Sequence, residues 1–109
     1  METYLWKSSS EQLKKTNLSL YSNFIAENYK VNFNKDFNKI WKWSVNNPRD
    51  FWKSIWEFTK VKGVLGNNLL QESDIFFKNK FFPDSKLNYA ENLLVKNNET
   101  PAIIFKSEN

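Results

Sequence analysis

Apolar positions along this chain recur mostly at helical intervals. Leu13, Leu20, Tyr21, Phe24 and Ile25 place one stripe on a helix running to about Tyr29. Upstream, Ser8 and Glu11 stand at capping-box spacing, and Thr16 or Asn17 offers a second start. Asp36 opens another helical stretch, with Phe37, Ile40 and Trp41 on one face, closing around Trp43-Ser44-Val45. Asn47-Pro48 then restarts the chain. Asparagine serves as the cap, proline takes the first helical position, and Asp50 lies near the positive end of the dipole. The helix predicted from this start spans 48–60, and its i,i+4 pairs Phe51/Ile55 and Trp52/Trp56 widen the apolar face.

Beyond residue 61 the helical period is lost. Gly63, Gly66 and Asn67-Asn68 mark a turn, while Phe76-Phe77 and Phe81-Phe82 suggest an irregular segment lying over an apolar surface. Pro83-Asp84-Ser85 ends that segment and is expected to cap a further helix, with Leu87, Ala90, Leu93 and Leu94 facing inward. Pro101 leads into Ala102-Ile103-Ile104-Phe105, a short run of strand character. The expected organisation is an arm and first helix over 1–35, an aromatic helical pair over 36–61 and an irregular segment over 62–83. A helix over 84–96 and a strand within 101–109 complete it. The class is mostly α. A lone terminal strand has no confident partner upstream, so the expectation is a leading segment of a larger protein.

Composition narrows the chemistry. A chain of 109 residues admits one compact domain at most. It has no cysteine, which removes disulfides, thiolate zinc sites and a thiol nucleophile, and no histidine, which removes the commonest general base and metal ligand. An autonomous enzyme is therefore the weaker expectation. Ten Phe, five Trp and four Tyr argue against disorder, because that much aromatic area needs something to bury against. No run has the length of a membrane span, and the start Met-Glu-Thr-Tyr-Leu-Trp-Lys shows neither a basic nor an apolar signal region. A cytoplasmic protein is expected.

The formal net charge is +4 and the sequence pI about 9.3, which raises the question of nucleic acid. The charge is nearly all lysine, with Arg49 the single arginine, and Lys14-Lys15 is the only adjacent pair. Phosphate and base recognition favour the planar guanidinium fork. Residues with A/T-rich codons (Phe, Tyr, Ile, Asn, Lys) dominate, so nucleotide bias accounts for the lysines and for chance sequons at Asn17 and Asn98. A small basic nucleic-acid binder remains an alternative, as does a free-standing helical interaction module built on the Phe/Trp surface.

Several local features have both a functional and a structural reading. Phe51, Trp52, Ile55 and Trp56 form either a partner-binding stripe or a face that packs onto a larger domain, and the second is preferred. Glu91 and Asn92 either touch a ligand or, as expected, bond neighbouring backbone. Gly63-Val64-Leu65-Gly66 formally matches an RNA-clamping loop, but its centre is apolar. Lys42 between Trp41 and Trp43 suggests a base-stacking motif, yet adjacent helical residues point about 100° apart and do not share one platform.

Three stretches carry a family resemblance. Trp43-Ser44-Val45 followed by Asp50-Phe51-Trp52, Trp56 and Phe58 is one; Leu87-Asn88-Tyr89-Ala90-Glu91-Asn92-Leu93-Leu94, preceded by Phe81-Phe82-Pro83, is another; the opening Leu5-Trp6-Lys7-Ser8-Ser9-Ser10-Glu11 is the third. In this order the chain resembles the N-terminal segment of acetoacetyl-CoA synthetases (acetoacetate–CoA ligases), in the acyl-CoA synthetase branch of the adenylate-forming enzymes. The resemblance covers nearly all of the chain, and the second block favours acetoacetate over acetate.

The resemblance implies a helical N-terminal segment of an α/β enzyme, ending in the first strand of a large adenylation domain. It implies a full-length ligase that uses ATP, Mg²⁺ and coenzyme A through an acyl-adenylate. The phosphate loop and catalytic motifs of such enzymes lie downstream, and this chain has only two separated glycines. No catalytic, cofactor-binding or metal-binding residue is transferred to it. The segment alone is expected to be structural, with the remainder of its own adenylation domain as partner and neither nucleic acid nor membrane.

Overall fold

Short polar side chains decide where each helix starts. The computed structural model describes residues 5–108. Residues 1–4 of the expected arm, and residue 109, lie outside the described residues. Helix α1 (Ser10–Lys14) is capped one residue later than the Ser8/Glu11 pair predicted. Ser9 Oγ accepts from the Gln12 amide at 3.2 Å, and Gln12 Oε1 accepts from the Ser9 amide at 3.0 Å. Ser9 and Gln12 offer the same spacing, so the cap moves by one within the serine run. Thr16 breaks the path. Its Oγ1 donates to the Leu13 carbonyl at 2.8 Å and accepts from the Ser19 amide at 3.2 Å, which starts α2 (Asn17–Tyr29). Lys30 ends α2 in the left-handed region at φ 59°, its ammonium donating to the Glu27 carbonyl at 2.7 Å.

Asp36 caps α3 (Phe37–Asn46) by accepting from the Asn38 amide at 2.9 Å. Pro48 opens α4 (Pro48–Phe58), which stops two residues short of the predicted end. Asn47 corrects the expectation of a side-chain cap on α4. Its Nδ2 donates backward to the Trp43 carbonyl at 3.1 Å, and its backbone N–H donates to the same carbonyl at 2.8 Å. The side chain therefore finishes α3 and leaves the start of α4 to the preset φ of Pro48.

In place of the one compact domain expected from its length, the chain divides into two units, the first ending at Thr59 and the second beginning at Lys60. The first has a core of Tyr21, Ile25, Phe33 and Ile40, with Phe24, Tyr29, Val31, Trp43, Phe51, Ile55 and Phe58 packed around it. Aromatic rings meet edge-on, the arrangement their quadrupoles favour: Tyr21 with Phe58 at 5.3 Å and Phe33 with Trp43 at 5.6 Å between centroids. The predicted α2 stripe holds for Tyr21, Phe24 and Ile25, whereas Leu13 and Leu20 are exposed. On α3 only Ile40 of the expected trio is buried; Phe37 and Trp41 face solvent. The face that packs is Ile40 and Trp43, which lies on the other side of Ile40 from Trp41 around the helix.

The second unit is built from short pieces. Val64 and Lys86 exchange both backbone bonds, at 2.8 and 2.9 Å. Strand β1 (Leu70–Gln71) pairs antiparallel with β2 (Lys80–Phe81), Leu70 opposite Phe81, and a 3₁₀ turn spans Phe76–Lys78 between them. Gly66, at φ 80°, lies where an added Cβ would stand 2.8 Å from the Asp84 Cβ. Helix α5 (Tyr89–Leu93) is much shorter than the predicted 84–96 element. Lys86 has spent both backbone groups on Val64, so no helix can run through it, and Asn88 becomes the cap by accepting from the Glu91 amide at 3.0 Å.

Leu87, Ala90, Leu93 and Leu94, expected to face inward, are all exposed. Among the described residues of this unit no second layer packs on this five-residue helix. Leu70 is the one apolar side chain buried among the described residues of this unit. The fold is mostly helical. Residues 102–105 are exposed and join no ladder among the described residues, since strand structure requires a hydrogen-bonded neighbour.

Candidate functional site

The inner side of α4 carries a chain of polar contacts to α2. Ser54 is 0% exposed, and its hydroxyl donates to the Phe51 carbonyl at 2.6 Å. One proton serves one acceptor, so the Tyr21 hydroxyl, 2.7 Å away, donates to Ser54 Oγ. Burial pushes the Tyr21 phenol up from its ordinary pKa, and the bond to Ser54 offsets part of that. Tyr29 donates to Glu57 Oε2 at 2.8 Å. Burial raises its pKa, and the bond to Glu57, the Glu57 charge and the Asp50 charge raise it further. Both phenols stay protonated, which suits them to holding α2 against α4 rather than to proton transfer.

The residues singled out in the sequence separate in space. Phe51 and Ile55 pack into the first unit's own core, Trp52 is 40% exposed, and Trp56 is partly buried. On α4, Phe51 and Ile55 thus belong to the first unit's own core, and Trp52 meets Phe51 edge-on at 5.2 Å between centroids. Arg49 is exposed in the first turn of α4. Trp41 points to solvent while Trp43 packs on Tyr29, Phe33 and Phe51, so Lys42 is not part of a stacking platform. What the sequence reading missed is an outward stripe on α3. Phe37, Trp41 and Val45 are 63%, 55% and 59% exposed, and their i,i+4,i+8 spacing was the signal available.

In the second unit Asn92 acts on backbone. Its Oδ1 accepts from the Lys62 amide at 2.7 Å and its Nδ2 donates to the Lys62 carbonyl at 2.9 Å, a two-way amide pair that ties α5 to the start of the loop. Glu91 is exposed and supplies its amide to Asn88. Gly63 and Gly66 flank Val64, whose backbone is paired with Lys86, so this loop is not a free clamp. An open groove of about 670 Å³ lies along Gln71–Asp74 and Phe77–Lys80, and a smaller apolar one of about 340 Å³ along Leu93–Lys96 and Thr100–Ile103. Among the described residues no three acidic side chains gather closely enough to hold a metal ion.

The side chains described so far supply packing surface and internal hydrogen bonds. Comparison with known proteins adds the family. The chain is 33% identical over 107 residues, 98% of its length, to an acetoacetyl-coenzyme A synthetase of Rhizobium meliloti (strain 1021). The chain belongs to the acetoacetyl-CoA synthetase family, as a segment. It is also similar to acetoacetyl-CoA synthetases of Danio rerio, 27% identical over 95 residues, and Mus musculus, 34% identical over 64 residues. These matches cover 16%, 13% and 9% of the three relatives' own lengths. No protein-family model matches the segment, and no solved structure does. No helix among its described residues is long and apolar enough to cross a membrane.

Proposed function

We propose that this chain is the leading segment of an acetoacetate–CoA ligase and that its own work is structural. The observation that carries the reading is similarity across 98% of the chain to a relative of which it matches only 16%. In the full-length enzyme, acetoacetate attacks the α-phosphorus of ATP to give an acyl-adenylate and pyrophosphate, and the thiol of coenzyme A then displaces AMP. Bringing a carboxylate onto a triphosphate requires Mg²⁺ and cationic groups that offset the gathered negative charge. Those groups, and the binding of ATP and coenzyme A, belong to the downstream chain in this reading. The segment taken alone is inactive, and the enzyme works in the cytoplasm.

The test is to read the genomic frame through codon 109, express the continuous enzyme, and measure acetoacetate- and CoA-dependent release of AMP and pyrophosphate. Turnover by the full-length protein and none by the 109-residue chain is the expected result. A full-length protein that forms no CoA thioester from acetoacetate removes the reading. Steeply salt-dependent retention on DNA or RNA would favour the basic nucleic-acid binder instead.

A further inference from the structure

We propose that the outer stripe of α3, formed by Phe37, Trp41 and Val45, is the face by which this segment docks on the remainder of its own enzyme chain. The inference rests on the ligase reading above and adds the residues that make the joint. The first unit already has a core: Tyr21, Ile25, Phe33 and Ile40 are buried, and the Tyr21–Ser54–Phe51 chain of hydrogen bonds is complete. The stripe is left over from that packing. Three large apolar side chains at i,i+4,i+8 lie on one side of α3, and Lys39 and Asn46 share the exposed arc on the opposite side of the stripe from it. Isolated exposed apolar residues are ordinary; a continuous row of this kind marks a contact surface.

The occupant follows from the length of the relatives. The chain accounts for 16% of the Rhizobium meliloti protein, so most of such an enzyme lies outside it, tethered and therefore present at high effective concentration. A second copy fits less well. Lys42 borders the stripe, and a two-fold contact would gather two such lysines at one joint, adding like charge to it. The α4 surface fits less well too, because Phe51 and Ile55 are spent on the local core. The partner surface is accordingly an apolar patch of the downstream chain.

The test labels single cysteines in the full-length enzyme. Val45→Cys sits in the stripe and Lys39→Cys on the exposed arc opposite it, and each is treated with a maleimide whose site is read by peptide mass spectrometry. Val45→Cys is expected to react at least tenfold more slowly than Lys39→Cys in the native enzyme, with the difference vanishing in denaturant. Equal native rates overturn the proposal. As a second variant, Trp41→Lys is expected to lower the thermal midpoint of the full-length enzyme, and an unchanged midpoint counts against docking. Acetoacetate-dependent turnover of the unsubstituted enzyme is measured in parallel. Its absence removes the ligase reading, whereas equal labelling in an active enzyme removes only the docking face.

Discussion

Replacing Ser54 by alanine isolates the one fully buried polar side chain among the described residues of the first unit. The substitution removes the acceptor of the Tyr21 hydroxyl, which is 2.7 Å from Ser54 Oγ on a residue only 5% exposed. A buried hydroxyl left without a partner costs about 1–3 kcal/mol. Alanine's better helix propensity returns about 0.5 kcal/mol within α4. The net expectation is a loss of about 0.5–2.5 kcal/mol, from the difference of these two effects. Tyr21→Phe should be milder, about 0.5–1.5 kcal/mol, because Ser54 keeps its bond to the Phe51 carbonyl and no buried group is orphaned. The double variant should lose less than the sum, since with the phenol hydroxyl gone there is nothing for Ser54→Ala to strand. Urea titration followed by tryptophan fluorescence reads this out. With a urea dependence of about 1–2 kcal/mol/M, the Ser54→Ala midpoint should fall by about 1 M. A Ser54→Ala protein as stable as its parent, or a double-mutant cycle with coupling within about 0.3 kcal/mol of zero, would refute the assigned hydrogen-bond chain.

Three further outcomes are expected. Tyr21 and Tyr29 both have raised pKa values, so the folded state keeps protons that the unfolded chain releases; stability is full below about pH 10, the ordinary tyrosine value, and falls as pH rises above it. Tyr29→Phe should make that alkaline loss shallower in pH-dependent urea melts, and an identical profile would show that Tyr29 is not responsible. Gly66→Ala places a Cβ 2.8 Å from Asp84 Cβ at φ 80°, and should speed proteolysis of the second unit while leaving protection of α2 and α4 unchanged. Asn92→Ala removes both bonds to Lys62 and should accelerate hydrogen exchange at the Lys62 amide at least severalfold, with Asn92→Asp restoring only the accepting half.

The amino-acid sequence by itself determined where the helices of the first half lie. Caps and proline act through bonds spanning three or four residues, so Thr16, Asp36 and Pro48 could be read directly, and an error such as Ser8 for Ser9 shifted the cap by one residue only. It also determined the family, because the aromatic spacing around Trp43–Phe58 and the block from Leu87 to Leu94 persist along the chain whatever they pack against. Which side of each helix faces inward was decided only in three dimensions. Phe37, Ile40 and Trp41 form as good a stripe on paper as Ile40 and Trp43, and the contact with α4 chose the second. The same holds for the length of α5: nothing near Lys86 in sequence forbids a helix, but Val64, 22 residues away, takes its backbone groups. Non-local hydrogen bonds and packing partners leave no local signature, so the second unit, where both dominate, was the part least readable from its residues.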